Sequence, residues 1–278
     1  MRELGIASII LIIANVAISY RGFKNRTFFE SYKFEVDKIL IQKDYIRLVS
    51  SGFLHTSWRH LIFNLISLYA FSGMLEMQLG IWSYLLIYFV SLIGGDLLAL
   101  FIHRNHGDYS AVGASGAVCG IIFASIALFP GLDIGFFGIP LAIPNWIFGV
   151  LYVIYSIYGI TSAKDNIGHE AHLGGALIGM LVAITIRPEA LVNNYIIITM
   201  IAIPIILFIY IIVRKPHILF INNLYFKSKS HNLTIDQRYN ETKVFKQKEI
   251  DKLLDKISRK GIGSLSKKEK EKLDNYSK

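Results

Sequence analysis

Apolar runs of membrane length constrain this chain more than any other feature. A bilayer's hydrocarbon core is about 30 Å thick, so a helix needs roughly 20 apolar residues to cross it. Runs near that length occupy residues 4–20, 58–79, 81–102, 115–130, 143–161, 170–186 and 194–213. Hydrophobic residues make up 53% of the chain and the mean hydropathy is +0.47, which excludes an ordinary soluble domain. In lipid each segment must satisfy its own backbone N–H and C=O groups, and an α-helix does so. The expected fold class is therefore all-α, a polytopic membrane helical bundle. Arg2 ahead of the first run could also open a signal peptide, but no small-x-small cleavage pattern follows, so the run is read as an uncleaved span. Cys119 is the single cysteine and excludes a disulfide within the chain.

Charge is distributed unevenly around these runs. The net charge is +9, and residues 214–278 hold 17 Lys/Arg against 8 Asp/Glu. A basic tail beside a membrane suits contact with anionic headgroups. It carries no recognition motif or aromatic platform for nucleic acid, and no nucleic-acid partner is expected. Its last third reads as two short amphipathic helices around Gly261 and Gly263, with Ser266 and Glu269 at capping-box spacing. The connection between the first two runs mixes aromatics, aliphatics and lysines, a pattern for a segment lying in the membrane interface. The glycines and prolines of "FPGLDIGFFGIPLAIPN" mark turns.

The second, fourth and sixth runs cross the membrane in the same direction, and polar residues gather at their beginnings. The second opens "HLIFN", with His60 and Asn64 one turn apart on one face. The fourth opens "GASGAVCG", with Ser115 in its first turn, and the sixth opens "HEAHLGG", with His172 near its start. Ionisable groups inside a membrane are functional candidates by default. Gly116 and Gly120 form one GxxxG and Gly175 and Gly179 another. Such pairs let two backbones approach closely, which would set the Ser115 hydroxyl beside the His172 imidazole.

"HLIFN", "GASG" and "AHLGGALIG", in this order, closely resemble the rhomboid intramembrane serine proteases. "RLVSSGFLHTSWRH" and "FSGMLEMQLG" are similar to the stretches on either side of that family's second helix, and the resemblance covers about residues 1–187. It implies a six-helix core in residues 1–190; beyond it, the last apolar run is read as an additional transmembrane helix at 191–213, and the basic stretch at 214–278 as a soluble tail. It also implies Ser115 as nucleophile, His172 as general base, His60 and Asn64 as oxyanion donors, and Gly113 as the residue that lets the oxyanion loop bend. The expected partners are transmembrane protein substrates and the lipid bilayer, with no cofactor or metal, in the cell membrane. The family's catalytic side faces outward with the amino terminus in the cytoplasm. The positive-inside tendency would instead keep the first connection and the tail in the cytoplasm. Pro204 interrupts the seventh run and leaves open whether it fully spans.

Two positions depart from the family pattern or add to it. Where the family usually packs an aromatic on the base histidine, this chain has Cys119, so His172 is expected to be held more loosely. Asp96 lies within the third run, either as a hydrogen-bonded structural acid or, less readily, as a carboxylate orienting His172.

Two other function classes compete. One is a non-catalytic rhomboid-like scaffold that binds membrane helices. The other is a metal-dependent membrane hydrolase or carrier, suggested by six of the eight histidines (His55, His60, His103, His106, His169 and His172) falling on one side. His169 and His172 stand three apart, whereas the HExxH zinc motif places its histidines four apart. His169 and Glu170 are expected at the rim, His103 and His106 in solvent, and His55 in a loop near the site.

Overall fold

The computed structural model describes residues 4–135, 142–162, 167–214 and 266. Every long apolar run within those residues is helical. Helix α1 spans Ile6–Lys24, and the short helices α2 (Arg26–Tyr32), α3 (Val36–Leu40) and α4 (Arg47–Ser50) follow in the first connection. Next come α5 (Trp58–His103), α6 (Ser115–Leu128), α7 (Asn145–Ser162), α8 (His169–Ile186), α9 (Glu189–Asn193) and α10 (Tyr195–Arg214). The protein is a helical membrane bundle, as the apolar runs require.

Gly80 divides α5 into two limbs, residues 58–79 and 81–103. Its φ of 78° and ψ of 166° are non-helical and lie in a region that L side chains rarely adopt. The two limbs are the expected second and third spans. Helix α10 runs unbroken through Pro204, and its 20 residues extend about 30 Å, enough to cross the hydrocarbon. Its buried stripe is Ile198, Ile201, Ile205, Phe208 and Ile212, at helical spacing.

Helix α6 is different. Its 14 residues extend only about 21 Å, less than the hydrocarbon thickness, and it is buried from Gly116 to Ala127. It is the central post of the bundle, packed between α5 and α8. A helix this short, enclosed on all sides, can begin below the membrane surface, so its first turn lies inside the protein. By contrast, large apolar side chains on α1, α5 and α10 face outward: Ile6, Phe63, Trp82 and Ile196 are all more than half exposed. In water such surface would be a liability; in lipid it is the solvent-facing side.

The other end of the bundle is pinned by a carboxylate. Glu76, 4% exposed, accepts hydrogen bonds from the Ala7 N–H (2.8 Å), the Ser8 N–H (2.9 Å) and the Ser8 hydroxyl (2.5 Å). It thereby satisfies orphan donors at the start of α1 and places negative charge at the positive end of the helix dipole.

The first connection folds back on the bundle more than an interfacial segment requires. Phe34, Val36 and Ile39 are fully buried there, while Leu40, Ile41, Tyr45 and Ile46 remain exposed. Buried Arg47 donates to the carbonyls of Glu30 (3.1 Å) and Lys33 (2.7 Å) and pairs with Asp44 (2.8 Å), which closes the loop on itself. Two small antiparallel ribbons were not expected from the sequence. Strand β1 (Phe34–Glu35) pairs with β2 (Ser110–Ala111), and β3 (Asp133–Gly135) pairs with β4 (Ala142–Pro144). The first ties the connection to the segment leading into α6. The tail's two expected helices lie outside the described residues.

Candidate active site

The site begins with backbones that touch. A Cβ added at Gly175 would collide with the carbonyl of Gly116, and one at Gly179 would collide with the backbone of Gly120. The two GxxxG pairs thus face each other across α6 and α8, at a separation only glycine permits. Ser115 stands just ahead of Gly116 and His172 one turn ahead of Gly175. His172 Nε2 and Ser115 Oγ are 2.6 Å apart.

His172 is 8% exposed, and its other ring nitrogen is also engaged. Nδ1 lies 2.9 Å from the hydroxyl of Tyr152 on α7, and the Cys119 thiol donates to that hydroxyl oxygen at 3.1 Å. Nothing in the sequence singles out Tyr152, which is one of several tyrosines in the apolar run "LYVIYSIYG". His172 thus has a hydrogen-bond partner on a different helix, Tyr152, in addition to Ser115, and Cys119 touches that partner.

Ser115 opens α6, so the first N–H groups of that helix have no intrahelical acceptor and the dipole's positive end points at the same place. Gly113 precedes it with a φ of 131°, and a Cβ there would lie 2.8 Å from His60 Nε2 and 3.6 Å from Ser115 Oγ. His60 and Ser115 therefore border the same small space, kept open by the absence of a side chain. Asn64, 7% exposed, sits one turn below His60 and donates one amide hydrogen to the His60 carbonyl at 3.2 Å. Its second amide hydrogen is not consumed by that bond.

The loop over the start of α6 is latched by two further groups. Gly113 N–H donates to the Ser51 carbonyl at 3.0 Å, and the Ser51 hydroxyl donates to Asp96 Oδ2 at 3.0 Å. Asp96 thus bonds to Ser51, while Nδ1 of His172 faces a phenol, which removes the reading of Asp96 as the group orienting the imidazole. Fully buried His55 bridges Ser19 Oγ (2.8 Å) and the Ala114 N–H (3.5 Å). Since the Ser19 hydroxyl donates to the Phe53 carbonyl at 2.9 Å, it must accept from His55 Nδ1–H, which leaves Nε2 to accept from Ala114. Burial, reinforced by His60, pushes the His55 pKa down to about 3 and keeps the ring neutral.

The remaining histidines sit differently from expectation. His103 is a partly buried group, not a solvent-facing one: its Nε2–H donates to Glu170 Oε1 at 2.8 Å and its ring stacks on Tyr109 at 3.7 Å. His169 is 1% exposed, edge-on to Tyr155 at 5.2 Å and to His172 at 5.7 Å, so it belongs to the interior of α8's first turn. Burial, reinforced by His103 and partly opposed by Asp108, lowers the His106 pKa.

Comparison with known proteins agrees with this architecture. Residues 42–189 match the family model described as Rhomboid domain, and residues 233–278 match a family of unknown function. Rhomboid protein 1, mitochondrial, of Saccharomyces cerevisiae is 30% identical over 157 residues, covering 54% of this chain and 45% of that protein. RHOMBOID-like protein 12, mitochondrial, of Arabidopsis thaliana is 29% identical over 196 residues, 64% of this chain and 57% of the relative. Rhomboid protease GlpG of Yersinia enterocolitica is 32% identical over 138 residues, 49% and 46% respectively. The chain spans about half the length of these curated relatives.

Proposed function

This chain belongs to the rhomboid family, and we propose that it is an intramembrane serine endopeptidase that cleaves transmembrane segments of other proteins in the cell membrane. The observation that carries the proposal is the 2.6 Å approach of Ser115 Oγ to His172 Nε2 at the enclosed start of a helix too short to span.

The chemistry follows from those two groups. A serine hydroxyl becomes a useful nucleophile when a base takes its proton as it attacks. His172 Nε2 accepts that proton, Ser115 Oγ bonds to the scissile carbonyl carbon, and the carbonyl oxygen becomes an oxyanion. The unpaired N–H groups at the start of α6, the His60 ring and the spare amide hydrogen of Asn64 stabilise that charge. Gly113 contributes space, since its own N–H is already given to Ser51. His172 then returns the proton to the leaving amine, and water hydrolyses the acyl-enzyme by the same route in reverse. A substrate helix shields its carbonyls within its own hydrogen bonds. Segments with small or helix-breaking residues near the cut, which unwind locally, are the favoured substrates.

The test uses the purified full chain in liposomes with a model transmembrane substrate. Cleavage that disappears in Ser115→Ala and is indifferent to chelators is the expected result. Cleavage that survives Ser115→Ala but stops with chelator would replace serine chemistry with a metal hydrolase. Substrate capture without any cleavage would make the protein a scaffold.

A further inference from the structure

A histidine can take a proton on Nε2 only in the tautomer that carries its hydrogen on Nδ1, and the partner of Nδ1 decides which tautomer prevails. In this protein that partner is a phenol. Three bonds run in series: Cys119 Sγ to Tyr152 Oη at 3.1 Å, Tyr152 Oη to His172 Nδ1 at 2.9 Å, and His172 Nε2 to Ser115 Oγ at 2.6 Å. We infer that Tyr152 is the positioning residue for the base, its hydroxyl oxygen accepting the Nδ1–H of His172 so that Nε2 is left free to accept the Ser115 proton. The inference rests on the reading of Ser115 and His172 as the catalytic pair.

The surroundings of Tyr152 fit that task. Its ring lies near-parallel to Phe148 (centroids 5.9 Å, 27°) and edge-on to Phe123 (6.1 Å), which fixes the direction of the hydroxyl. The ring itself is tilted by 35° and 6.1 Å from that of His172, a geometry for hydrogen bonding through the oxygen rather than for face-to-face stacking. Cys119, 2% exposed and one turn beyond Ser115 on α6, touches the same oxygen with a small side chain. A ring at position 119 would occupy the volume into which the phenol reaches. A small residue on α6 and a tyrosine on α7 thus form one device.

A phenol can also donate, and the alternative tautomer would have Tyr152 O–H donating to a bare Nδ1 while Nε2–H faces Ser115. In that arrangement the serine could not lose its proton to the ring. When the Ser115 proton reaches Nε2, the imidazolium carries N–H on both nitrogens, and only an acceptor at Nδ1 is compatible with it. The Sγ–H of Cys119 uses one lone pair of the phenol oxygen and leaves the other for His172. No carboxylate is needed at this position. A neutral acceptor orients the ring without adding a second charge to a low-dielectric interior.

The experiment compares the wild-type chain, Ser115→Ala, Tyr152→Phe and Cys119→Leu in liposomes, reading kcat and KM on a model transmembrane substrate. Tyr152→Phe keeps the ring and removes only the oxygen. It is expected to lower kcat about 10- to 100-fold with KM within about twofold of wild type. Cys119→Leu, which leaves Tyr152 present but fills the space its hydroxyl uses without adding a ring that could pack on His172, is expected to show the same split, so either variant suffices if the other does not fold. Wild-type kcat in either folded variant, with cleavage still lost in Ser115→Ala, would overturn the positioning role alone. Absence of Ser115-dependent cleavage in the wild type would overturn the catalytic pair and this inference together.

Discussion

Helix α8 meets its neighbours in two different ways. Against α6 it is backbone on backbone, with Gly175 over Gly116 and Gly179 over Gly120. Against α7 the contact is made through side chains, with Tyr152 reaching His172 and the His169 ring lying over the backbone of Gly159. The first contact has no freedom to adjust, because a backbone carbonyl cannot rotate away without breaking helical hydrogen bonds. The second can adjust by rotamer changes. The proposed nucleophile, Ser115, and the proposed base, His172, lie across the rigid contact, and Tyr152, which we infer orients that base, lies across the adaptable one. On this proposal, position is set by the glycine seam and orientation by α7.

Substitutions on the two sides should separate these properties. Gly175→Val drives a side chain into the Gly116 backbone and is expected to lower stability by about 3 kcal/mol or more, with loss of activity, measured by thermal unfolding in detergent alongside cleavage. The loop over α6 should respond to acid. Above pH 6.5 His55 is neutral whether the chain is folded or not. Below it the unfolded chain binds a proton that the folded chain refuses until about pH 3. Stability therefore falls as pH falls, by about 2 kcal/mol between pH 6.5 and 5, and His55→Gln should flatten that slope in the same unfolding measurement.

Away from the α8 contacts, on the face of α7 toward α6 and α10, Gly149→Ala places a methyl 2.7 Å from the terminal Cδ1 of Ile126 and 3.3 Å from that of Ile201. These flexible ends can turn aside, so the cost should stay below about 1 kcal/mol. The smallest effect belongs to Asp96→Asn. The amide oxygen still accepts from Ser51, and cleavage should remain within about threefold of wild type. A much larger loss would reopen a direct link between Asp96 and the base.

Much of this was legible before any coordinates. Apolar runs of about 20 residues fix where helices cross, and the break at Gly80 separates two runs that the sequence already divides. Ser115 and His172 were legible because short motifs place them at the starts of co-directional helices, each ahead of a GxxxG. Tyr152 was not. Its hydroxyl is one among several in an apolar run, and its partner lies 20 residues away on another helix. The same reason hides the His103–Glu170 pair, 67 residues apart, and the Glu76 cap on α1. Such pairings depend on how helices rotate about their axes, which spacing within one helix does not report. The short ribbons β1–β2 and β3–β4 are two or three residues long and carry no periodic signal.

The central claim is that the imidazole on α8 activates the hydroxyl on α6. Intact-mass analysis of the purified chain after exposure to a fluorophosphonate, which reacts with activated serines, addresses it without needing a substrate. A single adduct mapping to Ser115 in the wild type and missing from His172→Ala is the predicted result. No adduct on the folded wild type, or equal labelling once His172 is gone, would contradict it.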